Sequence, residues 1–210
     1  MINFIIEPFK SLFNDESISF DVLLFSFLII LLPVVLITGS ALPDIFLSFI
    51  ALYFLIKSIL KKEWIYYKNP IVLFVLIFCF YGILRSIFSE MPLESLTTSG
   101  SIFYFRYIFF SLGVWYLLNK NSHLSKCLLN TMVISILFIC LDALYQYFND
   151  FNIVGYGKHN KNRLTSFFGD EPVVGRYVAY LSLFTFTLLY NNFYNQKKNN
   201  DFFFHFSINM

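Results

Sequence analysis

Six apolar stretches follow one another along the sequence, Val22–Thr38, Ala41–Ile56, Pro70–Phe88, Ile102–Leu118, Cys127–Phe148 and Val173–Tyr190, with almost no charge inside them. Runs of this length read as membrane-spanning helices, because a rise of about 1.5 Å per residue carries the longer ones across a hydrocarbon core of about 30 Å. In lipid every backbone polar group must be paired within the protein, which leaves helices or closed barrels. No apolar/polar alternation points to a barrel. The expected fold is therefore all-α, a polytopic transmembrane helical bundle of about six spans. Composition agrees: 58% of the 210 residues are hydrophobic and 13% charged, where a soluble domain has about a quarter charged. The first two stretches are among the shortest and are separated only by Gly39 and Ser40. They form a tight transmembrane hairpin or a shallow pair.

Orientation follows from lysine and arginine in the short connections. With the N-terminus in the cytoplasm, residues 1–21 form a cytoplasmic segment and Lys10, Lys57, Lys61, Lys62, Lys68, Lys120, Lys126, Lys197 and Lys198 all fall on the inner side. The 89–101 connection, with Glu90 and Glu94, then lies outside. Glu7, Asp15, Glu16 and Asp21 make the start acidic, and no A-x-A-like cleavage site follows the first run, so that run is expected to stay as a signal anchor. The net charge of +2 is too small to point to nucleic acid. Cys79, Cys127 and Cys140 lie in or beside apolar runs with no disulfide or metal spacing, and read as small packing residues.

The exception to the charge rule is the outer loop 149–172, which carries Lys158, Lys161 and Arg163, with Arg176 just inside the following helix. Cations on the translocated side oppose the bias and need a reason; an external anionic ligand supplies one. Arg106, one turn into the fourth span, is costly in lipid unless it meets a partner or a water-filled cavity. Arg85 has the simpler reading of snorkelling to the interface. Asp142 and Gln146 stand four apart on one face of the fifth span. They suit a substrate hydroxyl, a pairing of Asp142 with an arginine, or interhelical hydrogen bonding. Pro43 and Asp44 read as ordinary helix-start chemistry.

Within the loop, Arg163, Thr165 and Ser166 precede a helix start at Asp170-Glu171-Pro172, which brings a cation and hydroxyls beside exposed amides, an arrangement suited to phosphate oxygens. Gly175 and Ala179 permit close approach of a helix or a lipid chain. His159 is the loop's one histidine, a residue type whose ordinary pKa near neutrality suits a general base, although a lone loop histidine is more often simply solvated.

The segment Arg163-Leu164-Thr165-Ser166-Phe167-Phe168-Gly169, with Gly175 and Tyr177 after it, resembles the corresponding segment of the O-antigen ligase / O-antigen polymerase family. Asp142-Ala143-Leu144-Tyr145-Gln146-Tyr147 and Phe105-Arg106-Tyr107 are also similar to members of that family, and the likeness spans roughly residues 70 to 190. The resemblance implies a bacterial inner-membrane glycosyltransferase that takes a glycan from an undecaprenyl-diphosphate carrier at the periplasmic face. The acceptor would be lipid A-core or another glycan, and no metal or nucleotide cofactor is needed. It implies a diphosphate-binding role for Arg163 and, secondarily, Arg106. Arg176 and the Asp170-Glu171-Pro172 start depart from the family pattern. Family members are also about twice as long, with a catalytic His in a later loop, so residues 191–210 read as a cytoplasmic tail or the start of further spans. The alternatives are a transporter or flippase for an anionic lipid or solute, and an inactive membrane fragment.

Overall fold

The computed structural model describes residues 10, 12, 18–39, 41–97, 103–121, 123–158, 163–169 and 171–190. The described residues form helices, with no strand beyond an isolated bridge between Phe151 and Gly157. In chain order the helices are α1 (Phe20–Val35), α2 (Ala41–Leu60), α3 (Pro70–Ile87), the short α4 (Pro92–Thr97), α5 (Tyr104–Lys120), α6 (Leu124–Asn149) and α7 (174–190). Tight 3-10 turns lie at Leu36–Thr38, Trp64–Lys68 and Ser166–Phe168.

Among the described residues, four helical segments are long and apolar enough to cross a membrane: Phe20–Thr38, Ala41–Leu60, Pro70–Ile87 and Leu124–Asn149. α5 has 17 residues and includes Arg106, Asn119 and Lys120, so it falls just short on length and is less apolar. Burial supports a lipid surround. In α3 only Cys79 is buried, while Ile71, Phe74, Ile77, Phe78 and Phe80 are at least 58% exposed. A helix apolar on every side cannot face water and is at home in lipid.

The chain divides into two compact units. Among the described residues, one comprises 18–29 and 41–121, the other 10, 12, 30–39 and those from 123 to 190. The first unit is centred on α2 against α5. Gly113 makes this crossing close: a Cβ there would stand 3.0 Å from Ile50 Cγ2, 3.1 Å from the Ile50 carbonyl oxygen and 3.2 Å from Phe54 Cβ. Small residues at such a crossing let helix backbones approach where no hydrophobic effect drives them together. At one end of α2, Lys57 and Asp21 form an ion pair of 2.5 Å, joined by Tyr53, whose hydroxyl donates to Asp21 over 2.9 Å. Lys57 thus has a partner one residue beyond the expected end of this stretch at Ile56, in a helix that continues to Leu60.

The second unit is built on α6. Pro33 interrupts the hydrogen bonding of α1 and leads into the Leu36–Thr38 turn. The Tyr177 hydroxyl of α7 donates to the Pro33 carbonyl over 2.7 Å. The Leu36–Thr38 turn also lies against the Ser166–Phe168 turn.

Candidate functional site

The segment after α6 folds back on that helix, and the pieces that hold it are polar. α6 ends at Asp150 in a left-handed conformation, φ 67°, whose amide donates to the Gln146 carbonyl over 3.0 Å. Asn152, 1% exposed, organises the next turn. Its side-chain oxygen accepts from the amides of Val154 (3.1 Å) and Tyr156 (2.7 Å), and its amide group donates to the Ser166 carbonyl (2.7 Å). An asparagine bonding backbone two residues ahead is a local turn former.

Gln146 and Asp142 are both fully buried. Gln146 Oε1 accepts from the Thr165 and Ser166 amides, each over 2.9 Å. Its Nε2 donates to the carbonyls of Tyr156 (3.1 Å) and Gly157 (3.2 Å) and lies 3.1 Å from Thr165 Oγ1. One turn earlier, Asp142 Oδ1 accepts from the Ile153 amide over 3.1 Å, and Oδ2 accepts a short hydrogen bond from the Ser166 hydroxyl. Buried polar groups are expensive unless bonded, and here each head is matched to backbone groups of the loop. The shared face read from the sequence is therefore used to hold the loop, and neither head is open to a ligand in this arrangement.

The rest of the motif is pinned by rings. Phe167 stacks on Phe138 of α6 at 5.0 Å and Phe168 packs against Tyr177 at 5.4 Å. Ser166 takes a left-handed φ of 49°, and Gly169 has a φ of 64°. A serine in that region is uncommon, and its amide, hydroxyl and carbonyl are all bonded here.

The cations have different fates. Lys158 turns back onto the end of α6: its ammonium is 2.6 Å from Asp150 and 2.8 Å from the Tyr147 carbonyl, so it closes the loop. A cation beside the last carbonyls of a helix is favoured by the helix dipole. Arg163 and Arg176 are exposed and form no ion pair among the described residues. Lys161 lies outside the described residues, as do His159 and Asp170. α7 begins after Pro172, and Gly175 has open space around its Cβ position.

Arg106 belongs to the α2–α5 unit and finds its carboxylate in Asp44, 3.0 Å away. The guanidinium also donates to the Tyr107 hydroxyl over 3.2 Å, and its Nε is buried without a partner. Asp44 thus does more than start α2. Arg106 and Asp44 share a cleft of about 390 Å³ with Ser48, Phe49 and Leu52. No group of three or more His, Cys, Asp or Glu able to hold a metal occurs among the described residues. The chain matches no family model, no curated protein and no solved structure.

Proposed function

We propose that this chain forms the lipid-diphosphate-holding part of an inner-membrane glycosyltransferase of the O-antigen ligase or polymerase kind, with six spans and a cytoplasmic N-terminus. The observation that carries the reading is the buried lock of Asp142, Gln146 and Asn152 on Thr165 and Ser166, just after the exposed Arg163. Loops that carry function are commonly set by a rigid scaffold, and this lock fixes the backbone two residues from a cation that has no ion pair among the described residues.

In this reading Arg163 binds phosphate oxygens of an undecaprenyl-diphosphate-linked glycan, with Lys161 and Arg176 as further cations and Arg106 as a secondary site. An acceptor hydroxyl, on lipid A-core or on a growing glycan, forms the new bond at the anomeric carbon while the bond to the diphosphate oxygen breaks. Charge building on the departing diphosphate is stabilised by guanidinium donors, the ordinary route for lowering such a barrier. The acceptor's proton goes to a general base outside the residues named here. Asp142 and Gln146 are positioning residues in this scheme, and Lys158 closes the loop.

The test is Arg163→Ala and Arg163→Lys in the native cell, with membrane levels of the protein measured alongside surface glycan. Arg163→Ala is expected to abolish glycan transfer at unchanged protein level, and Arg163→Lys to retain a fraction, because lysine keeps the charge without the bidentate fork. Normal surface glycan in Arg163→Ala overturns the reading.

A further inference from the structure

The connection between α2 and α3 combines exposed apolar groups, unspent positive charge and a rigid base. Leu60, Trp64 and Ile65 are 73%, 52% and 70% exposed. Lys61, Lys62 and Lys68 beside them are exposed and carry no ion pair among the described residues. Two other lysines of this unit, Lys57 and Lys120, are paired with Asp21 and Glu63. The turn is held from its buried side. Tyr66, 6% exposed, packs edge-on against Trp115 at 5.1 Å and Phe54 at 5.7 Å, and the Tyr67 hydroxyl is 3.0 Å from Ser58 Oγ. The Glu63 amide bonds back to the Ser58 carbonyl over 3.1 Å, and Lys62, with φ 54°, occupies the left-handed position that glycine fills at many helix ends. A lysine there gives up backbone ease for a side chain.

We propose that residues 60–68 form a docking site for anionic phospholipid at the membrane surface: Trp64 and Ile65 enter the headgroup–acyl boundary while Lys61, Lys62 and Lys68 bind the phosphates around them. Tryptophan favours that boundary, since its ring is apolar at one end and polar at the other. Lysines near an anionic surface each favour it by a factor of about 5. The occupant is a lipid of the surrounding bilayer, chosen by complementary charge and by apolar groups that water would not tolerate as a patch.

The test uses the full chain with Trp115→Phe, which leaves Trp64 as its one tryptophan. It is reconstituted in phosphatidylcholine vesicles containing a minority of phosphatidylglycerol. Bromine is placed on the phosphatidylglycerol or on an equal fraction of phosphatidylcholine, and quenching of Trp64 reports which lipid lies against it. The expected result is about 5-fold or greater enrichment of phosphatidylglycerol, falling as salt is raised. Lys61→Gln with Lys62→Gln and Lys68→Gln brings the two quenching curves together. Lys62→Gly relieves the left-handed backbone and so keeps the fold, yet lowers the enrichment. Equal quenching by both lipids, enrichment that survives the triple substitution, or a Trp64 quenched by neither lipid overturns the proposal; the last result points to a protein partner.

Discussion

Gln146→Leu tests whether a single buried side chain sets the loop that follows α6. Five hydrogen bonds of the glutamine disappear, but their loss is unequal. The Tyr156 carbonyl still accepts from the Asn152 amide at 2.9 Å, and the Gly157 carbonyl from the Thr165 hydroxyl at 3.2 Å. The Thr165 and Ser166 amides have no such substitute and become buried donors without acceptors. Each orphan costs about 1–3 kcal/mol, and the leucine's own burial returns roughly 1.5 kcal/mol. The net is about 2.5 kcal/mol against the closed loop at the middle of that range, or ~60-fold in the opening equilibrium.

Hydrogen exchange followed by mass spectrometry on a peptide spanning residues 163–169 reads this directly, because exchange of those amides requires the loop to open. The expectation is a rate rise of that order in Gln146→Leu, with peptides from α6 unchanged. Gln146→Glu separates the two halves of the lock: one oxygen still accepts from both amides, while the other faces the carbonyls that Nε2 had served, so exchange should lie between wild type and leucine. If Thr165 and Ser166 exchange equally fast in all three proteins, the lock does not set the loop, and its support for a site at Arg163 goes with it.

Other perturbations follow from the same geometry. Asp142→Asn keeps an acceptor for the Ile153 amide and can donate to Ser166, so it should cost less thermal stability in detergent than Asp142→Ala, by ~1 kcal/mol or more; equal losses would show that the Ser166 bond is unimportant. Gly113→Ala must move the Ile50 backbone and should destabilise by about 1–3 kcal/mol despite its better helix propensity. Gly175→Ala, with open space at that Cβ, should be neutral or slightly stabilising, and the reverse order in melting temperature would refute the assigned crossing. Asp44→Ala removes the carboxylate of a half-exposed ion pair and should change stability by no more than about 1 kcal/mol.

The helices were legible because apolar length is a local property, and the structure places a helix in each of the six stretches. The i, i+4 spacing of Asp142 and Gln146 was legible as a shared face for the same reason. Their partners were not. These are chiefly backbone groups 10 to 20 residues away, with the Ser166 hydroxyl 24 away, and they arrive only because Asp150 and Ser166 adopt left-handed conformations that sequence spacing does not reveal. Asn152 was missed, although an asparagine shortly after a helix end is a recognisable turn former. Gly113 sits inside an apolar run that looks uniform until α2 is laid against it. Asp44 already had a sufficient local explanation as a helix-start acid, so nothing in the sequence linked it to Arg106 across 62 positions.

The fate of the charges suggests a way to separate two kinds of anion recognition. Lys57, Arg106, Lys120 and Lys158 are committed to Asp21, Asp44, Glu63 and Asp150. Arg163 emerges from a polar, hydrogen-bonded loop, whereas Lys61, Lys62 and Lys68 surround exposed Trp64 and Ile65. A phosphate ligand with no lipid tail should therefore serve the first environment but replace only half of what the second offers. Inorganic pyrophosphate is expected to protect Arg163 from phenylglyoxal, read by peptide mass after digestion, while leaving the enrichment of phosphatidylglycerol at Trp64 in place at constant ionic strength. Unprotected Arg163 would remove the diphosphate role. Loss of the enrichment would mean that the 60–68 turn recognises phosphate alone, and that its exposed apolar residues contribute nothing to the choice of lipid.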